Sequence, residues 1–133
     1  MTDTGSHQEY LLVLGSNHHR AKMLRLAYRR LDAAFELRAC SRVARTRDPG
    51  GARYLNVALR IAADARVTPD ALKQQLRSIE DEAGRVRGSG ECVLDIDLLA
   101  SCRGSRILAL YKPDDLRREY VRQLLLGLRV QIV

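Results

Sequence analysis

From Tyr54 to Ile61 the sequence alternates without a break, with Leu55, Val57, Leu59 and Ile61 on one side and Tyr54, Asn56, Ala58 and Arg60 on the other. A period of two marks an extended strand with one face turned to a core. The chain must therefore build a sheet and find something to cover it. The cover is written in the other period. Leu24, Ala27, Leu31 and Ala34 recur at spacings of three and four with Lys and Arg between them, the stripe of an amphipathic helix. Leu72, Leu76, Ile79 and Ala83 repeat that pattern between Thr68-Pro69-Asp70 and Gly84. Thr68 suits an N-cap, Pro69 the first helical position, and Gly84 a C-terminal stop.

The remaining segments complete the order. Tyr10–Leu14 is a short apolar run closed by Gly15-Ser16-Asn17, which reads as a buried strand and a turn. Residues 37–43 alternate as a half-buried strand, Asp48-Pro49-Gly50-Gly51 is a loop, and Val93–Ala100 is a further strand. Leu116, Tyr120, Leu124 and Leu128 indicate a last helix. The order β-α-β-β-α-β predicts an α+β fold, the ferredoxin-like split-βαβ sandwich, with an added C-terminal helix or strand element.

Composition narrows the class of partner. The chain has 133 residues, 46% apolar and 29% charged, which fits one globular domain over 10–133 after a disordered tail at 1–9. No apolar run approaches the roughly 18 residues of a membrane span. The polar N-terminus carries an acid where an export signal carries positive charge. Three cysteines, Cys40, Cys92 and Cys102, lack zinc-ligand or redox-pair spacing, so free thiols in a reducing cytoplasm are expected. With 23 Lys+Arg against 16 Asp+Glu, the net charge of +7 favours an anionic partner. No Trp, one Phe and five Tyr give little material for a base-stacking platform.

The segment Cys92-Val93-Leu94-Asp95-Ile96-Asp97-Leu98-Leu99 carries the chemistry. On a strand, Asp95 and Asp97 project from one face, with α-carbons about 7 Å apart, while Leu94, Ile96 and Leu98 take the other. Two carboxylates side by side on an inner strand repel each other and need a cation or basic side chains. Mg²⁺ accepts such oxygen ligands, often one or two carboxylates completed by water and phosphate. The bland counterpart is a structural network in which both acids pair with nearby arginines. Arg85 and Arg87 lie just upstream, where guanidinium beside a metal suits phosphoryl transfer, although a solvated helix end also favours cations.

Taken in order, Leu14-Gly15-Ser16-Asn17, Tyr54-Leu55-Asn56, Ile79-Glu80 with Gly84-Arg85-Val86-Arg87, and Leu94-Asp95-Ile96-Asp97-Leu98-Leu99 resemble the 6-hydroxymethyl-7,8-dihydropterin pyrophosphokinase family from about Tyr10 to Leu125. The resemblance implies a cytoplasmic, monomeric enzyme of folate biosynthesis that moves pyrophosphate from ATP to a pterin hydroxymethyl group. It implies two Mg²⁺ ions on Asp95 and Asp97, with Arg85 joining them as catalytic. It implies pterin binding by Thr46, Tyr54, Asn56 and Tyr120, the last standing where the family has a Phe. It implies ATP binding by Glu80, Arg87, Lys112 and Arg118.

The sequence departs from the family pattern around the nucleotide. Gly90-Glu91-Cys92 stands in place of Gly-Pro-Arg, the loops before Tyr54 and before Asp95 are short, and Tyr111-Lys112-Pro113 lacks a histidine. Lys112 is the remaining candidate there, and Arg45, Arg47, Arg53 or Arg77 could replace a lost phosphate contact. Two other classes fit the same residues: a non-catalytic module that binds a pterin or nucleotide, and an RNA-binding ferredoxin-like domain.

Overall fold

The computed structural model describes residues 7–84, 91 and 93–128. In chain order the elements are β1 (His7–Ser16), α1 (Arg20–Ala34), β2 (Glu36–Cys40), β3 (Ala44–Arg47), β4 (Arg53–Asp64), α2 (Pro69–Glu82), β5 (Asp95–Arg103), β6 (Arg106–Leu110), a 3-10 turn (Asp115–Arg117) and α3 (Glu119–Leu126). The sheet runs β2-β4-β1-β5-β6, with β3 also on β4, and every pairing is antiparallel. β4 lies between β1 and β2, and β1 lies between β4 and β5. Two split βαβ units are thus interleaved, the ferredoxin-like order with a hairpin strand and a helix appended.

Local chemistry fixes the ends of the elements. Thr68 Oγ1 accepts from the Ala71 amide at 3.1 Å and Pro69 opens α2. Gly84 follows α2 at φ +91°, a conformation that a side chain disfavours. Gly104, at φ +59°, turns β5 into β6 through a two-residue loop between the paired Arg103 and Arg106.

Several expected boundaries move; the strand expected over 93–100, for one, is β5 at Asp95–Arg103. β1 begins at His7 and continues through Gly15 and Ser16, because both residues pair with β4 and Gly15 pairs with β5 as well. The strand expected over 37–43 stops at Cys40, where Ser41 interrupts it, and a separate strand, β3, begins at Ala44, beyond the expected end. The Ser41 hydroxyl accepts from the Ala58 amide at 2.9 Å and donates to the Arg42 carbonyl at 2.8 Å, a side-chain substitute for part of the backbone ladder.

Both faces of the sheet are covered. Leu12, Leu14, Leu59, Ile96 and Leu98 pack under α1 and α2. On the opposite face Leu11, Val13, Ala58, Leu99 and Ala100 meet Val121, Leu124 and Leu125 of α3. At 8 residues α3 is too short to hold itself in water. Burying each leucine is worth about 1.5–3 kcal/mol, so packing on the small side chains of Ala58 and Ala100 makes it helical. Among the described residues no helix is long and apolar enough to cross a membrane.

Candidate functional site

The α3 face of the sheet has a deliberate gap. Register sets Asn56 of β4 opposite Gly15 of β1, and Gly15 opposite Asp95 of β5, so the three lie in one row. Gly15 leaves the middle of that row without a side chain. A Cβ built there would sit 2.9 Å from Asn56 Oδ1. Asn56 is buried, and its Nδ2 donates to Thr46 Oγ1 at 2.6 Å, which fixes the amide plane. Asn17 Nδ2 donates to the Tyr54 hydroxyl at 3.3 Å.

Above this floor opens a cavity of about 490 Å³ with Val13, Leu99 and Val121 as apolar wall, Tyr54 and Tyr120 at its sides, and Asn56 and Thr46 as polar contacts. Its size and mixed lining suit a small heterocycle. Asp95, Asp97 and Arg118 line the same space. Arg118 Nε lies 3.8 Å from Asp115 Oδ1.

Asp95 and Asp97 project together, as the strand period requires, while Ile96 and Leu98 are buried on the reverse face. Burial first, and then the neighbouring Asp95 charge, push the Asp97 carboxyl up to about 6, against the pull of Lys112. Lys112 Nζ donates to Asp97 Oδ1 at 2.5 Å. A bulge in the backbone brings it there. Between Leu98 and Ala100 the β1–β5 register slips, and the Leu99 carbonyl accepts from the Tyr111 and Lys112 amides at 2.8 and 3.2 Å.

Among the described residues β6 pairs with Ala100–Arg103 of β5 and does not extend along the acidic stretch. A second cavity, about 370 Å³, lies along that stretch and again includes Asp95 and Asp97. Lys73 and Arg77, one turn apart on α2, and Lys112 line it as cations. Glu80 lines it too, but its carboxylate is turned to the strand: Oε2 accepts from the Ile96 amide at 2.8 Å. It supplies the acceptor for what would otherwise be a buried unpaired donor. Glu80→Ala is therefore expected to lower unfolding free energy by about 1–3 kcal/mol, and Glu80→Gln, which keeps the acceptor, to recover most of it. Urea titration of both variants measures this, and equal losses would remove that role.

Of the residues singled out from the sequence, Thr46, Tyr54, Asn56, Tyr120, Arg118, Asp95 and Asp97 line the first cavity, and Glu80, Lys112, Asp95 and Asp97 the second. Arg118, expected with the nucleotide, lines the first cavity. Arg85, Arg87 and Cys92 lie outside the described residues. Gly15 as a floor, Asp115 at the first cavity and Lys73 at the second are additions from the structure. Arg77, named from the sequence as a substitute phosphate contact, lines the second cavity beside Lys73. His18 and His19 stack edge to face at 4.1 Å in the β1–α1 connection, away from both cavities.

Among the described residues no three acidic, histidine or cysteine side chains gather as a metal cage. The donors that do gather are two neighbouring carboxylates, one with a raised pKa. Such a pair is short of positive charge and suits a hard divalent ion whose other ligands come from phosphate and water. The residues present fit Mg²⁺ held jointly by protein and substrate.

Among solved structures, the chain resembles an unknown protein from Galdieria sulphuraria, with 16% identity and a TM-score of 0.50 over 74% of this chain. That match covers 52% of the Galdieria protein, so this chain spans about half its length, and the likeness is one of fold. A weaker match is the C-terminal domain of the MgtC protein from Mycobacterium tuberculosis, at 11% identity and TM-score 0.42, covering 74% of this chain and 93% of that one. Comparison with the curated proteins gave no match. The family comparison reaches through the sheet, both cavities and the acidic strand. The model for 7,8-dihydro-6-hydroxymethylpterin-pyrophosphokinase matches residues 11–129, and the chain belongs to that family.

Proposed function

We propose that this protein transfers the diphosphoryl group of ATP to the hydroxymethyl oxygen of 6-hydroxymethyl-7,8-dihydropterin, a transferase step of folate biosynthesis. One observation carries the reading. Asp95 and Asp97 stand in the wall shared by a ring-sized cavity and a cation-lined one. A reaction between a heterocycle and a polyphosphate needs that arrangement.

Each cavity has its task. Asn56, held by Thr46, presents Oδ1 to ring N–H donors, and Tyr54 and Tyr120 confine the ring. Lys73 and Arg77 draw the triphosphate along β5 beside the acidic pair. Asp95 and Asp97 would hold Mg²⁺, which when bound offsets phosphate charge and aligns the two reactants. Lys112 then has a choice of partner, since its ammonium can leave Asp97 for a phosphate oxygen. Positioning and charge compensation supply the catalysis, and no covalent enzyme intermediate is needed. No histidine lines either cavity.

The test is AMP formation from ATP that depends on both the pterin and Mg²⁺. Lys73→Ala with Arg77→Ala should raise KM for ATP by about tenfold or more and leave KM for the pterin within about twofold. AMP release independent of the pterin would sink the assignment. A second reading, a pterin-binding module without turnover, draws on the Lys112–Asp97 ion pair, which already neutralises one metal-binding carboxylate. It requires pterin binding by calorimetry that is unaffected by Mg²⁺, with no AMP formed.

A further inference from the structure

The β3–β4 hairpin carries a basic cluster of which only Arg47 lines either of the two cavities above. Arg47 and Arg53 are direct cross-strand partners, and Arg45 lies two residues before Arg47 on the same face. Like charges set opposite each other in a sheet are destabilising, and among the described residues no carboxylate pairs with either. Arg20, the first residue of α1, faces the same space, and the four guanidinium groups with Thr46 line a cavity of about 420 Å³. Among the described residues none of the four makes an ion pair or side-chain hydrogen bond. The neighbouring carboxylate, Asp48, is engaged in its own loop, where Oδ1 accepts from the Ala52 amide at 2.8 Å.

From this geometry we infer that the hairpin face is a second anion site, for a compact oligophosphate bound without metal. Three of the arginines are exposed and Arg20 is half-buried, so their charge is available to a ligand from solvent. The concave arrangement favours a small ligand of several charges, for which guanidinium groups offer forked donors. The cavity along β5 is a poor competitor in the absence of metal. Its cations share the space with Asp95, Asp97 and Glu80, and Lys112 is paired to Asp97. Thr46 and Arg47 also line the heterocycle cavity, so an anion here sits beside that ligand. The source is either a free oligophosphate or the phosphate tail of a ring ligand.

Calorimetry of the whole chain with inorganic tripolyphosphate, in EDTA at low ionic strength, tests the site. Binding is expected with one ligand per chain, weakened at least about tenfold by Arg47→Ala with Arg53→Ala and largely kept by the corresponding lysines. Lys73→Ala with Arg77→Ala should leave it within roughly twofold. The arginine variants should melt at or above the parent temperature without ligand, since a like-charge pair has gone. A phosphorylated pterin that binds more tightly than tripolyphosphate identifies the tail of a ring ligand as the source, and weaker binding identifies the free anion; both support an oligophosphate site. Absence of tripolyphosphate binding, a requirement for Mg²⁺, or loss in the Lys73/Arg77 variant alone would overturn it. So would affinity for single-stranded RNA that climbs with oligonucleotide length, which marks an extended track. None of these readouts uses AMP formation, so failure here is separate from failure of the transferase reading.

Discussion

Asp97→Asn is expected to abolish AMP formation and at the same time to stabilise the metal-free protein at neutral pH. Loss of one anionic ligand from a two-carboxylate set should lower turnover by at least about 10²–10³-fold. The stability change has the opposite sign because the native carboxylate is under strain. Its pKa is pushed from the ordinary 3.8 up to about 6 by burial and by Asp95. An acid whose folded-state pKa is raised binds its proton more tightly when folded. It therefore adds no penalty well below the ordinary 3.8, where it is neutral in both states, and one that grows as pH rises from there to about 6 and is constant above it. Removing the charge should recover on the order of 2 kcal/mol at pH 7–8 and little at the acid end, below the ordinary carboxylate range. Lys112 loses a partner, but its side chain is 47% exposed and stays solvated. Thermal melts in EDTA across that range decide the matter: a variant no more stable than the parent at pH 7.5 would mean that the carboxylate pair is already relieved.

The parts legible in the sequence are those in which one element speaks for itself. Alternation from Tyr54 to Ile61, the Leu72–Ala83 stripe behind Thr68-Pro69, and the side-by-side acids of the 95–97 pair each follow from a local period, and the ferredoxin-like order follows from their succession. The rest depends on partners distant in the chain. Ser41 breaks a strand because its hydroxyl meets the Ala58 amide. Lys112 reaches Asp97 because β5 bulges at Leu99 and offers a carbonyl to the returning chain. Glu80 enters the sequence reading through the family resemblance, and its bond to the Ile96 amide, sixteen residues away, carries no local signal. Gly15 read as part of a turn, since nothing within a run of four residues reveals that Asn56 and Asp95 flank it.

That glycine supports the second large prediction. Gly15→Ala should leave the fold intact, because Gly15 lies in a regular strand and has no left-handed φ. The new methyl has nowhere to go on the cavity floor, with Asn56 Oδ1 2.9 Å away. Contact that close must be relieved by moving the amide, and the amide is tethered through Nδ2 to Thr46 at 2.6 Å. Either the tether breaks or Oδ1 leaves the position from which it accepts a ring N–H. Losing one well-placed buried hydrogen bond costs about 1.5–3 kcal/mol, so KM for the pterin should rise by roughly 10–100-fold. KM for ATP should hardly change. Combination with Asn56→Ala separates this cause from general damage to the cavity. Asn56→Ala removes the amide that the methyl collides with, so Gly15→Ala should cost the pterin little more on that background. The two substitutions acting on one hydrogen bond are thus expected to be strongly non-additive. Full additivity would show that the glycine serves the cavity by volume alone, and that Asn56 is held in place by something other than the space beside it.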